Sequence, residues 1–318
     1  MRPFRFLADL GDAADGPSIA EAARRAEATG YSAIVYPDHL GQPLGFLPLL
    51  TWAAAATERI RVMPFVANND LRHPAILAQD LASLDVLTGG RVEVAMGAGW
   101  NRPEYDAIGL AFDPVGVRVG RLGEALRIVK GAFGDAPFSF AGEHYTVTDY
   151  DGQPKPVQRP HPPVFIGGGG RRVQTLAARE ADTISLAPRT LAAAHGETVR
   201  SDPRSITIAA TEEKIGWIRE AAGDRFDEIE LNVYPTGTAP VITDDPRTVA
   251  RELLDGIRAR TGVEVDVDEY LAAPNVFIGS VDGLVAKLGE LRERLGISSY
   301  MVGDLDTLAP VVERLAGT

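Results

Sequence analysis

Short apolar runs alternate along this chain with longer stretches that carry an apolar residue at every third or fourth position, the pattern of strands and helices taken in turn. Phe4-Arg5-Phe6-Leu7-Ala8-Asp9 reads as a strand. Ser18 to Thr29 reads as a helix with Ile19, Ala22, Ala23 and Ala26 on one face, stopped by Gly30. Ala33 to Tyr36 is a second strand, Phe46 to about Thr57 a second helix, and Arg61 to Val66 a third strand. His73-Pro74 opens the third helix with proline in its first turn, Leu77, Leu81 and Leu84 follow at helical spacing, and Gly89-Gly90 ends it. Arg91 to Gly97 is strand four and Arg118 to Phe133 a long helix.

The proline-rich piece from Gly134 to Pro163 reads as an insertion, because the alternation resumes at Val164 to Gly167, strand five. A fainter second half continues with a helix over Arg171 to Glu180 and strand Thr183 to Leu186, then a helix around Glu212 to Ala222 and strand Glu228 to Val233. Helices over Arg247 to Ala259 and Val281 to Leu295, strand Ser299 to Val302 and a closing helix over Leu305 to Leu315 complete the chain. Eight strands, each followed by a helix with no long break in composition, predict one α/β domain over residues 1–318. That domain is a (β/α)8 TIM barrel with an insertion at about 134–163, between strands four and five. A doubly wound open sheet shows the same alternation, and the strand count favours the barrel.

In such a barrel the chemistry belongs at the C-terminal strand ends. Strand two ends in Pro37-Asp38-His39, an ionisable pair in which histidine can exchange protons near neutral pH and the carboxylate can orient it or a cofactor ring. Taken alone, that pair reads equally as a helix-capping Asp and a surface His. Strand three ends in Phe65-Val66-Ala67-Asn68-Asn69-Asp70, where the asparagines suit a bulge or tight turn with inward amides, or an ordinary loop. Strand four ends in Gly97-Ala98-Gly99-Trp100, where absent side chains let a flat ring or a phosphate approach the backbone, and Glu104 follows four residues later. Strand five ends in Gly167-Gly168-Gly169-Gly170-Arg171-Arg172 just before a helix, which brings flexible N–H donors, a positive helix terminus and guanidinium groups together as a phosphate cradle. Its spacing is neither the dinucleotide fingerprint nor a P-loop.

Composition narrows the chemistry further. With no cysteine, there are no disulfides, thiolate metal sites or cysteine nucleophiles, so redox chemistry must come from a cofactor. The five histidines (His39, His73, His144, His161, His195) are scattered without a metal-ligand pair, and no Gly-x-Ser-x-Gly elbow occurs. A net charge of -12 argues against nucleic-acid or anionic-membrane partners. No apolar run approaches the roughly 18 residues of a membrane span and the N-terminus lacks a signal layout, so a cytoplasmic protein is expected.

The residues resemble the luciferase-like monooxygenase superfamily, and within it the actinobacterial branch that uses the deazaflavin coenzyme F420. The resemblance rests on Asp38-His39, Thr57-Glu58-Arg59-Ile60-Arg61-Val62, Arg72-His73-Pro74, Leu84 to Arg91, Gly97-Ala98-Gly99-Trp100 with Glu104, and Pro154 to Pro160 leading into Pro162 to Gly168. It covers residues 1 to about 190 and returns at Phe277-Ile278-Gly279-Ser280; residues 190–275 match in layout alone. It implies a cofactor ring over a bulge in strand three, often with a non-proline cis peptide and here expected near Phe65-Val66-Ala67, and a phosphate tail at the strand-five glycines.

By the same resemblance His39 handles a proton, Asp38 and Asn68 contact the ring edge, and Trp100 with Glu104 borders the pocket. The cofactor is then F420, with FMN as the alternative. Trp100 stands where the family's sugar-phosphate dehydrogenases have an acid, which points away from that substrate class. The activity implied is hydride transfer to or from a small organic substrate. The rival readings are a monooxygenase supplied with reduced FMN by a separate cofactor-reducing enzyme, and a flavin-binding barrel without turnover. A homodimer is implied by the resemblance.

Overall fold

In the computed structural model of the chain, residues 1–10, 13–191, 200–236 and 238–318 are described. Strands and helices alternate as the periodicity predicts: β1 (Arg5–Asp9), α1 (Gly16–Thr29), β2 (Ala33–Tyr36), α2 (Phe46–Ala55), β3 (Arg61–Pro64), β4 (Ala67–Asn68), α3 (Pro74–Thr88) and β5 (Val94–Gly97). There follow α4 (Arg102–Ala107), α5 (Val115–Phe133), the hairpin strands β6 (Phe138–Ala141) and β7 (Thr146–Tyr150), β8 (Val164–Gly168), α6 (Arg171–Glu180) and β9 (Thr183–Leu186). The last part contains α7 (Ile208–Ala222), β10 (Glu230–Val233), β11 (Val241–Ile242), α8 (Pro246–Thr261), α9 (Val267–Ala272), β12 (Ile278–Gly279), α10 (Val281–Leu295), β13 (Ile297–Met301) and α11 (Ala309–Leu315).

The main sheet has nine segments in the order β3-β2-β1-β13-β10-β9-β8-β5-β4, and every pairing in it is parallel. β3 and β4 are two parts of one traverse, interrupted at Phe65-Val66, so the sheet closes on itself as an eight-stave barrel. A bridge between Val62 and Val92 helps to seal the join. This is the α/β barrel expected from the alternation, and no helix among the described residues is long and apolar enough to cross a membrane.

Helix boundaries follow local chemistry. His73 caps α3 by accepting the Ala75 N–H, Pro74 occupies its first turn, and Gly89 ends it in the left-handed conformation at φ 66°. The insertion contains the antiparallel pair β6 and β7, which is pinned to α5 because the Glu124 carboxylate takes the N–H groups of Glu143, His144 and Tyr145. Residues 234–280 add something periodicity did not resolve, a parallel pair β11–β12 with α8 and α9 around a small core of their own that includes Leu254, Tyr270 and Ile278.

Inside the barrel, Leu7, Ala33, Val35, Met63, Ala95 and Phe165 form an apolar middle layer. Below it, at the N-terminal strand ends, Arg5 bridges Glu93 at 2.6 Å and Glu230 at 2.7 Å, while Arg61 donates to Glu93 at 2.7 Å. The polar groups of that end are paired with one another, so the barrel is plugged at its base and chemistry is left to the opposite mouth.

Candidate active site

β2 delivers Tyr36 into the wall, and the next two ionisable residues take partners on different elements. Asp38 turns toward strand three, where it accepts the Asn68 N–H at 3.0 Å and Arg72 Nη1 at 2.5 Å. His39 turns toward α4, with Nδ1 lying 3.0 and 3.1 Å from the two Glu104 carboxylate oxygens. The group that orients His39 is therefore Glu104, distant in sequence, rather than its neighbour Asp38. The Trp100 ring stands edge-on to the imidazole with centroids 5.4 Å apart. With Nδ1 engaged, Nε2 is the nitrogen left for a substrate, and the half-buried ring keeps 27% of its side chain accessible.

Strand three breaks at a cis Phe65-Val66 peptide bond, inside the stretch in which one was expected. The Phe65 ring lies 5.4 Å from Phe165 and is perpendicular to Tyr234 at 5.5 Å. Val66 fills the space between Gly97 and Gly167: a Cβ on Gly97 would lie 2.6 Å from one Val66 methyl, and one on Gly167 would lie 3.8 Å from the other. Ala67 and Asn68 then resume pairing, with Met96 and Gly97 as partners. Asn68 is buried, and its Oδ1 is engaged by the Asp70 N–H at 3.1 Å and the Tyr105 hydroxyl at 2.9 Å. Its Nδ2 carries no such bond among the described residues.

The glycine turn after β5 is fastened from behind. Gly99 has φ +72°, and a Cβ there would fall 1.9 Å from the Tyr105 hydroxyl, so both the backbone and the space require glycine. Arg118 donates to the carbonyls of Ala98 and Gly99, and Arg121 ties Asp70 at 2.8 Å to Asp113. Burial, and after it the Asp70 charge, pushes the Tyr105 phenol well up, which keeps it a hydrogen-bond donor. Trp100, half exposed, follows the turn at the rim.

At the fifth barrel strand, β8, Gly167 and Gly168 end the strand and Gly169 passes against the carbonyls of the 187–188 loop, where a Cβ would meet Pro188 O at 2.1 Å. Among the described residues, Gly170 heads α6 with no side-chain cap and nothing near the place its Cβ would occupy, which leaves the first N–H groups of the helix open. Arg171 turns away and pairs with Glu220 at 2.8 Å on the surface. Arg172 has no ion pair or hydrogen bond among the described residues, and its guanidinium reaches over Gly116 at the start of α5. The free cation of this cradle is thus Arg172, where the sequence pattern had also put forward Arg171.

The structure brings His39, Glu104, Trp100 and the glycine turn into one contact set, joined through Asn68 to Asp38 and the cis bond. The Gly167 to Gly170 segment joins that set through Val66. His73 is a helix cap, His144 and His161 lie in the insertion, and His195 lies outside the described residues. The strand-end pattern assigns no site role to Arg72, Tyr105 or Tyr234, although Arg72 belongs to the Arg72-His73-Pro74 motif. Tyr234 directly follows β10, so the strand-end rule could have found it.

A profile of the luciferase-like monooxygenase family matches residues 1–279. An FMNH2-dependent dimethylsulfone monooxygenase of Pseudomonas putida is 39% identical over 128 residues, 40% of this chain and 35% of that protein. An F420-dependent glucose-6-phosphate dehydrogenase of Kineococcus radiotolerans is 32% identical over 175 residues, 52% of this chain and 50% of that protein. The chain therefore spans between about a third and half the length of these curated relatives. The solved structure of the coenzyme F420-dependent tetrahydromethanopterin reductase from Methanopyrus kandleri superposes with a TM-score of 0.74 at 21% identity, covering 100% of this chain and 98% of that one, which shows a shared fold. The fold, the strand-end geometry and a family match over most of the chain agree: this protein belongs to the luciferase-like monooxygenase family.

Proposed function

We propose that the protein is a coenzyme F420-dependent oxidoreductase that passes a hydride between the deazaflavin ring and a small organic substrate, with His39 handling the accompanying proton. The observation that carries this reading is the Glu104–His39 contact at 3.0 Å. When His39 donates its Nδ1–H to the carboxylate, Nε2 keeps a lone pair at the mouth, and the carboxylate stabilises the imidazolium formed when a proton is taken up. F420 supplies a two-electron hydride acceptor or donor when bound, so the substrate's proton needs a separate place to go.

The residues present suit a flat ring with a phosphate-bearing tail. The backbone from Phe65 to Asn68 would receive the ring, with Asn68 Nδ2 available at its edge. The missing side chains at Gly97 and Gly99, expected from the sequence to admit a ring or phosphate, instead make room for Val66 and the Tyr105 hydroxyl and so fix that backbone. Asp38 would act indirectly, by fixing the Asn68 backbone. The open N-terminus of α6 and the Arg172 guanidinium would hold the phosphate. Trp100 would shield the dyad from water at the rim. Exposed Trp52, Ile76 and Leu87, on α2 and α3, support pairing of two barrels through those helices.

A second reading, an FMN-dependent monooxygenase supplied with reduced flavin by a partner reductase, is favoured by the 39% identity to the dimethylsulfone monooxygenase over 128 residues. Titrating the purified chain with F420 and with FMN while following ring fluorescence separates the two. Tighter F420 binding, with hydride transfer that is lost in His39→Ala while cofactor affinity is retained, is the expected result. Preferential FMN binding with oxygen consumption by the reduced form would replace it with the second reading.

A further inference from the structure

The mouth of the barrel has almost no uncommitted positive charge. On the loops and helix starts that follow the strands, Arg72, Arg102, Arg171, Arg189 and Arg204 each lie against a carboxylate, those of Asp38, Asp106, Glu220, Glu213 and Asp202, and Arg200 donates to the Arg260 carbonyl. Cations that reach the same end from the helices are also engaged: Arg118 on the carbonyls of Ala98 and Gly99, Arg121 on Asp70 and Asp113, and Lys214 on the carbonyls of Ala187 and Ser205, each at 2.7 Å. The residues outside the described set contain no lysine or arginine. Arg172 is left, at the cradle assigned above to the cofactor tail.

Among the described residues, the side chains in contact with His39 are apolar or negative. Trp100 and Leu40 are each 50% exposed at the rim, and Phe65 and Tyr234 stand beside the cis bond. Glu104 contributes a carboxylate behind His39. The Tyr234 hydroxyl has no hydrogen-bond partner among the described residues, and burial pushes its pKa up to about 12, so it stays a neutral donor throughout the ordinary pH range. An anionic substrate entering here would lose hydration without gaining a counter-charge, and it would meet the Glu104 field. An uncharged hydroxyl or carbonyl group would lose far less.

We propose that the substrate is a small uncharged alcohol, or the corresponding ketone or aldehyde, with an apolar body, and that phosphate- and carboxylate-bearing analogues are rejected at the binding step. This rests on the F420 reading of the mouth. In the oxidising direction the carbinol C–H bond breaks and its hydride goes to the oxidised deazaflavin, the O–H proton passes to His39 Nε2, and the C=O bond forms. In the reducing direction each transfer is reversed.

Isobutyramide and isobutyrate have nearly the same shape, differ in charge and carry no carbinol hydrogen, so they report binding without turnover. Each is titrated into the full-length chain loaded with F420, following the ring fluorescence. Isobutyramide is expected to bind at least about tenfold more tightly, the scale of a modest desolvation difference. Equal affinities, tighter isobutyrate, or no isobutyramide binding up to its solubility overturns the inference while leaving the cofactor assignment intact. Failure to take up F420 defeats the cofactor assignment instead, and the same pair titrated into the FMN-loaded chain then decides the charge preference; uptake of neither ring overturns both.

Discussion

The two ends of the barrel use polar residues in opposite ways. At the base, Arg5, Arg61, Glu93, Thr183 and Glu230 come from different strands and satisfy one another, with Glu93 accepting from both arginines and Glu230 from Arg5 and Thr183. At the mouth, groups are held on one side and left free on the other: His39 is fixed through Nδ1, Asn68 through Oδ1, and Tyr234 only through its ring. A buried polar group with all its partners contributes to the integrity of the fold, whereas one that is half satisfied and rigidly held is available to a ligand. The same β/α alternation builds both ends, so the division of labour lies in which hydrogen bonds are left unmade.

That contrast makes separable predictions. His39→Ala should lower kcat/KM by about 10²–10⁴-fold, the usual worth of a positioned acid or base, with a chemical-denaturation midpoint close to wild type. A variant that unfolded as readily as it lost activity would blur the two ends. Glu93→Ala should do the reverse and lose about 1–3 kcal/mol in urea unfolding, because the half-buried Arg5 and Arg61 each lose a charged partner while Arg5 keeps Glu230 and Arg61 keeps Gln158, and turnover per folded molecule is kept. A selective loss of turnover there would show that the base takes part in the chemistry.

Tyr234→Phe should raise KM by roughly two- to tenfold and change kcat little, the effect of deleting one hydrogen bond to an uncharged ligand. The mildest effect concerns pH. Burial, ahead of the opposing pull of Arg5, lifts the Glu230 carboxyl above its ordinary value of 4.5. The folded chain then holds that proton to higher pH than the unfolded chain does, so the stability this group contributes is full below 4.5 and is lost as pH rises through the folded value. In parallel urea titrations the wild type should gain on Glu230→Gln as pH is lowered from neutrality. The opposite trend would mean that Arg5 outweighs burial.

Much of the first half of the barrel was legible because its helices carry explicit stops and starts, Gly30, His73-Pro74 and Gly89, and its strands β2 and β5 are apolar throughout. The second half is fainter for a physical reason. β9 and β10 place Thr183, Ser185, Glu230 and Asn232 in buried positions, so the continuous apolar run that marks a fully buried strand is missing from the sequence. The site was legible as a set of strand ends but not as a set of partners. Adjacent in sequence, Asp38 and His39 take partners on different elements, Asp38 on Asn68 and Arg72 and His39 on Glu104 of α4, which follows the glycine turn. Of two neighbouring arginines at the start of α6, a one-residue step on the helix sends one to Glu220 and leaves the other free, which no spacing rule distinguishes.

The central claim is that the unpaired face of the His39–Glu104 dyad meets a deazaflavin ring at the break in strand three. A crystal structure of the chain soaked with F420 tests it most directly. The account predicts the ring across Phe65-Val66, His39 Nε2 toward the substrate side with Nδ1 still on Glu104, and the phosphate at Gly170 and Arg172. A ring bound away from the barrel mouth, or His39 released from Glu104 and turned out of the site, would contradict it.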